Sequence, residues 1–241
     1  MTLYFSEKEF NKFKKLQNCK EEPWKIEKDL IEKTIKYVNY IKWIPWLQMI
    51  WIWNSISMNN ANKNSDIDLF IVTKPRRIRI TRIIITLIFQ VLFVRKTKNK
   101  HKDRFCLSFF ITTNALNLEN ISIKDDIYLY FWILHLKPIL NYNKTWEKFI
   151  EENKKWCNFD NYKNIIDNNN TYIKYKKWWK INNFNWKSLD FIERCLKSIF
   201  IIKTKKRFHK LWNPFWVIIN DNMLKFHDED KRIKIRNQII N

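Results

Sequence analysis

Not one of the 241 residues is glycine, although average usage near 7% would give roughly 17 in a chain of this length. Every tight turn therefore has to be made without the residue that enters left-handed backbone angles most freely. Cysteine is sparse, with only Cys19, Cys106, Cys157 and Cys195, no Cys-x-x-Cys pair and no histidine at zinc-ligand spacing. That scatter argues against a disulfide scaffold and predicts reduced thiols in a cytoplasmic protein. Long apolar runs are missing too. The most apolar stretch, Ile83 to Val94, is interrupted by Gln90 and falls short of the ~20 residues a membrane-spanning helix needs, so it predicts a buried helix. The N-terminus is charged and lacks the apolar core of a signal peptide.

Acidic residues are few beside basic ones, 24 against 46, leaving a formal net charge of +22. Such a surplus points to phosphate-rich partners, either nucleic acid or an anionic membrane surface. Lys, Asn and Ile are also the residues that A- and T-rich codons supply, so charge alone does not decide the matter. Apolar content is high, with 46% hydrophobic and 17% aromatic residues, which excludes a disordered chain and allows one large domain or two small ones. Tryptophan occurs 13 times. Trp53, Trp212 and Trp216 stand beside expected turns, where a backbone would favour glycine. Zero glycine with abundant tryptophan leaves two readings: a gene that reads UGA as glycine, translated as if UGA meant tryptophan, or a real Trp-rich protein that makes every tight turn without glycine.

Helical periodicity opens the chain. Ser6 and Glu9 stand at capping-box spacing, and Phe10, Phe13 and Leu16 share a face, which predicts a helix from Glu7 to Cys19. Ile26, Leu30, Ile31, Ile35, Val38 and Ile41 define a second amphipathic helix over 25–42. Residues 47–53 and 66–73 read as strands, with a short helix at 55–61 between them. A long helix at 77–95 and a strand at 104–112 follow. Further helices are predicted over 125–136, 145–155 and 188–200, with an Asn- and Lys-rich loop at 158–187 and a polar helix start at Asn220-Asp221. The expected class is α+β: N-terminal helices over 1–45, a small mixed β-sheet core over 46–115, and a mostly helical region over 116–241.

The strand at 66–73 carries the chemistry. Side chains alternate along a strand, so Asp66 and Asp68 leave one face while Ile67, Leu69 and Ile71 leave the other. Two carboxylates this close repel each other unless a cation sits between them. A hard divalent ion such as Mg²⁺ supplies that charge and bridges carboxylates to substrate phosphates.

The stretch WIWNSISMNNANKNSDIDLFIVT resembles the nucleotidyltransferase superfamily of DNA polymerase β-like fold, whose signature is a Gly-Ser turn, a spacer, and Asp-x-Asp on an apolar strand. Here Asn54-Ser55 stands at the turn and Asp66-Ile67-Asp68 on the strand. The resemblance implies a small mixed sheet flanked by N- and C-terminal helices. It also implies transfer of a nucleoside monophosphate from a nucleoside triphosphate to an acceptor, with Mg²⁺, in a one- or two-metal site, and release of pyrophosphate. Asp66 and Asp68 would be the catalytic and metal-binding pair. Asn54 and Ser55, with the amides after them, would bind the nucleotide phosphates. The acceptor stays open among nucleic acid, a protein side chain and a small molecule, as do nucleotide preference and oligomeric state. Active members usually carry a third carboxylate on a neighbouring strand, and Asp103 is the nearest candidate. The alternative is an inactive protein of this fold that binds nucleic acid through its basic surface; a peripheral membrane protein using helix 77–95 is a third reading. Arg77, Arg79 and Arg82 face nucleotide phosphates or an RNA acceptor, or form a solvated basic face. His227, Asp228 and Asp230 read as a solvated helix face in preference to a metal cluster.

Overall fold

The computed structural model describes residues 3–167, 189–200, 217–226 and 231–240. The helices are α1 (Glu7–Leu16), α2 (Lys25–Val38), α3 (Ile78–Val91), α4 (Ile127–His135), α5 (Thr145–Lys154), α6 (Lys163–Asp167), α7 (189–200) and α8 (Arg232–Ile240). The strands are β1 (Leu47–Trp53), β2 (Ile67–Thr73), β3 (Phe105–Thr112), β4 (Lys137–Asn141), β5 (Val217–Ile219) and β6 (Met223–Phe226). They form one mixed α+β sheet in the order β4-β1-β2-β3-β6-β5. Only β2 and β3 run parallel, joined by α3 as crossover.

β1 and β2 lie at the centre and are buried along their whole length, which explains their nearly continuous apolar sequences. One sheet face carries Trp51, Trp53, Phe70 and Phe109 beneath α1, α4, α5 and α8. The other carries Ile50, Ile52, Leu69, Ile71 and Phe110 beneath α2 and α3. The capping box of α1 forms as its spacing predicts, with Ser6 N–H donating to Glu9 at 2.8 Å and Glu9 N–H to Ser6 Oγ at 3.3 Å. α1 stops at Leu16 because Asn18 turns left-handed. Phe10 and Phe13 then seat the helix on Phe131 of α4, at 4.7 and 4.3 Å between ring centres.

Several sequence expectations are corrected. Residues 54–59 form consecutive turns rather than a helix from 55 to 61. The segment at 220–222 is the turn of the β5–β6 hairpin, not a helix start. The region after 116, expected to be mostly helical, also supplies β4, β5 and β6. α3 buries Ile78, Ile80, Ile85 and Phe89, yet Leu87 and Val91 remain exposed, so the apolar run is a two-faced helix. Arg77 and Arg79 are buried, 8% and 3% exposed. Arg77 pairs with Asp190, while Arg79 pairs with Glu193 and with Asp221 at 3.0 Å. They are neither a solvated face nor free for phosphate. Arg82 lies over the Phe226 ring at 4.3 Å. The turn expected around Trp212 and Trp216, and His227, Asp228 and Asp230, lie outside the described residues. No helix among the described residues is long and apolar enough to cross a membrane.

The missing glycines are replaced mostly by amides and carboxylates. Of nine described residues with positive φ, six are Asn or Asp: Asn18, Asn54, Asn59, Asp103, Asp125 and Asn143. Their short polar side chains bond locally and lower the steric cost of left-handed angles. No tryptophan is among the nine, so the backbone asks for glycine at no described tryptophan. At Trp53 the left-handed position is taken by the next residue, Asn54, at φ 60°. The buried indole N–H groups of Trp51 and Trp132, however, have no acceptor, an uncommon condition for a buried donor. Peptide mass spectrometry of the natural protein decides the codon question. Tryptophan at positions 51 and 53 ends the reassignment reading, and glycine there establishes it.

Candidate active site

Asp66 and Asp68 lie at the N-terminal end of β2, on the aromatic face of the sheet. Strand pairing puts Asp68 opposite Trp53 on one side and Cys106 of parallel β3 on the other. The carboxylate oxygens of Asp66 and Asp68 and the sulfur of Cys106 all lie within 4.8 Å of one another. This convergence follows from the alternation read in the sequence, since Ile67, Leu69 and Ile71 are fully buried on the opposite face.

Asp68 is 8% exposed. Burial first, and then the Asp66 carboxylate beside it, push its carboxyl up from 3.8 to about 6. Asn54 works against that rise: its side-chain N–H donates to Asp68 Oδ2 at 2.8 Å. The hydroxyl of Tyr128 on α4 holds the other end of the Asn54 amide at 3.3 Å. Asn54 thus fills two needs at once, a left-handed angle where β1 ends and a donor to the buried carboxylate. Asn54→Ala is expected to cost about 1–2 kcal/mol from the backbone angle and about 1 kcal/mol more from the lost bond. Asn54→Gly should recover only the backbone part. Urea unfolding of the two variants separates these contributions.

The turn after Asn54 is locked from several sides. Met58 N–H donates to Asn54 O at 3.0 Å and Asn60 N–H to Ser55 O at 2.9 Å. The buried Glu27 of α2 accepts from Ala61 N–H at 3.0 Å. Lys137 of β4 reaches Asn59 Oδ1 at 2.7 Å, and burial holds its ammonium down to about 8. Within this frame the backbone N–H groups of Ser55, Ile56 and Ser57 donate to no group among the described residues. Consecutive free amides at one turn form a local anion-attracting surface.

Sequence reasoning missed two contributors. Lys96, read as part of a plain basic connector, places its ammonium 2.6 Å from Asp66 Oδ2 and counters the acidic pair. Cys106 occupies the place on the neighbouring strand where a third carboxylate was sought. Burial, and next the charge of Asp68, drive its thiol well above the ordinary range, and it donates to Ser108 at 3.3 Å. Asp103 does not join the cluster; its N–H bonds Ser65 O and it takes a left-handed turn. The alternation of β3 could have exposed Cys106, because β2 and β3 are both apolar strands flanking one crossover helix. Nothing in local sequence could have located Lys96.

The donor set fits a divalent cation. Two carboxylates, one of them buried and resisting ionisation, form an acidic centre that a hard ion would neutralise. The thiol is a softer neighbour that Mg²⁺ would leave aside.

No family model matches the chain, and no curated protein matches it. Two solved structures resemble it. One is described as a toxin-antitoxin with AMP-PNP, at 16% identity and a TM-score of 0.31, covering 55% of this chain and 95% of its own. The other is a mutant of the toxin-antitoxin MntA-HpeT, at 16% identity and a TM-score of 0.30, covering 57% and 95%.

Proposed function

We propose that the protein is a metal-dependent nucleotidyltransferase. One observation carries this reading: Asp66 and Asp68 share a face at the start of β2 and stand beside a turn whose amides at Ser55, Ile56 and Ser57 are free. Asp66 and Asp68 would hold Mg²⁺, which when bound supplies positive charge to the triphosphate and acidifies an acceptor hydroxyl. Ser55 and the three amides would hold the β- and γ-phosphates. The acceptor hydroxyl would release its proton to solvent as its oxygen bonds to the α-phosphorus, the bond to the bridging oxygen would break, and pyrophosphate would leave with that electron pair. Lys96, 2.6 Å from Asp66, would balance part of the charge of the pair. Catalysis here is positioning and charge neutralisation, which a rigid turn and a buried carboxylate provide.

The absence of a third carboxylate from the cluster among the described residues favours a second reading, an inactive protein of the same fold that binds nucleic acid. Incubation with each labelled nucleoside triphosphate, Mg²⁺ and a cell extract separates the two. Label transferred to macromolecule or small molecule by the wild type, and not by Asp66→Ala/Asp68→Ala, is the expected result. No transfer, with the mutant and wild type indistinguishable, would leave the second reading standing.

A further inference from the structure

Beside the carboxylates lies a cavity that the proposed chemistry does not use. Gln90 and Phe93 at the end of α3, Arg95 and Thr97 after it, and Lys100 and Arg104 before β3 enclose about 240 Å³. Three of these six side chains are cationic and none is acidic. A larger cavity of about 650 Å³ lies past the C-terminal end of β2, and there Asp190, Glu193 and Asp221 answer the cations that line it. Of these two, the small cavity is lined by cations with no carboxylate among its lining residues.

The backbone makes this deliberate in form. Phe93 N–H donates to Gln90 O and Val94 N–H to Phe89 O, both at 3.0 Å, the paired closure that ends many helices. The left-handed position of that closure is usually glycine, and here it is Phe93 at φ 54°. The residue is 78% exposed, so a strained phenylalanine stands out to solvent. Residues 95–104 add six Lys or Arg against one Asp, and every residue from 96 to 102 is exposed. The segment is tied to the carboxylate strand: Lys96 pairs with Asp66, Ile67 N–H donates to Arg104 O at 2.8 Å, and Asp103 N–H to Ser65 O at 3.0 Å.

Cations without carboxylates attract phosphates, and an exposed ring between them offers a platform for an unpaired base. We propose that this surface binds a single strand of nucleic acid, with Arg95, Lys100 and Arg104 on its phosphates and Phe93 stacked on a base, and that the bound strand is the acceptor. The second clause rests on the nucleotidyltransferase reading; the binding does not.

The test is fluorescence anisotropy of a labelled oligoribonucleotide of about 12 nucleotides, within the range one such surface covers, without nucleotide or metal. Arg95→Glu/Lys100→Glu should weaken binding at least about tenfold and flatten the logarithmic salt dependence by about 1.4, two contacts at about 0.7 each. Arg76→Glu/Arg194→Glu, the same charge change at the other cavity, should weaken it less than about threefold at matched salt. Phe93→Ala should lose about tenfold, and Phe93→Trp should retain binding, since any aromatic face stacks. Equal losses in the two charge-reversal pairs would overturn the site, as would tight binding of an acidic peptide in place of RNA. Binding by the wild type with no nucleotide added to the strand would leave the surface intact and remove its acceptor role.

Discussion

Asp68→Asn is expected to make the cation-free protein more stable while abolishing its Mg²⁺-dependent transfer. The carboxyl is raised from 3.8 to about 6, and each unit corresponds to about 1.4 kcal/mol. Its folded value is above its unfolded one, so its contribution to stability is complete below about 4 and is lost as pH rises through about 6. At pH 8 the wild type therefore carries a cost of about 3 kcal/mol that the neutral amide avoids, and Asn at position 68 can still accept from Asn54. Urea unfolding in EDTA should show the variant ahead by about 2–3 kcal/mol at pH 8 and level with wild type near pH 4. With saturating Mg²⁺ the wild type should gain stability in proportion to the logarithm of ion concentration, and the variant should not. Transfer should fall by at least about 10³-fold, the scale lost when one preorganised charge-stabilising group is removed. A variant no more stable than wild type at pH 8 would show that water or Lys96 already neutralises the buried carboxylate.

This opposition between stability and chemistry accounts for what the sequence revealed. Asp66 and Asp68 were legible because they break an apolar strand with period-2 spacing, and a polar residue in such a strand demands a reason. Asn54 was legible as a turn, but not as the donor to Asp68, since that bond spans 14 residues and depends on how β1 and β2 align. Lys96 lies 30 residues from its partner Asp66 and could be found only once α3 had returned the chain to the start of β2. Regular elements with one clear apolar face, such as α1 and α2, were read to within a few residues. The 54–59 turns were mistaken for a helix because Ile56 and Met58 are both buried, but Met58 enters the aromatic core and Ile56 the aliphatic core on the other sheet face, not one helical stripe. Short β4 follows directly on α4, and its mere five residues gave no periodicity of their own.

The arginines at the start of α3 show most directly how a local reading fails. Cations at a helix N-terminus oppose its dipole, so an unusual role was sought for them. The resolution is a distant carboxylate. Glu193 of α7 is 4% exposed and accepts from the backbone N–H groups of Arg79 and Ile80, each at 2.9 Å, as well as from the Arg79 guanidinium at 3.5 Å. It caps a helix that has no capping side chain of its own and neutralises its buried arginine. Asp221, held below the usual carboxylate range by hydrogen bonds from Lys197 and Arg79, completes the cluster. Glu193→Ala should therefore cost about 3–5 kcal/mol, as removal of one partner from a buried pair does, with two orphan amides included in that loss. Glu193→Gln keeps one acceptor for those amides and should cost about half as much. Because the cluster sits at the opposite end of β2 from Asp66 and Asp68, roughly 20 Å away by strand rise, RNA binding measured on folded Glu193→Gln protein should be unchanged. A loss below about 1 kcal/mol for Glu193→Ala, the scale of a solvent-exposed pair, would mean that water replaces the carboxylate and that α7 is not what secures the arginines.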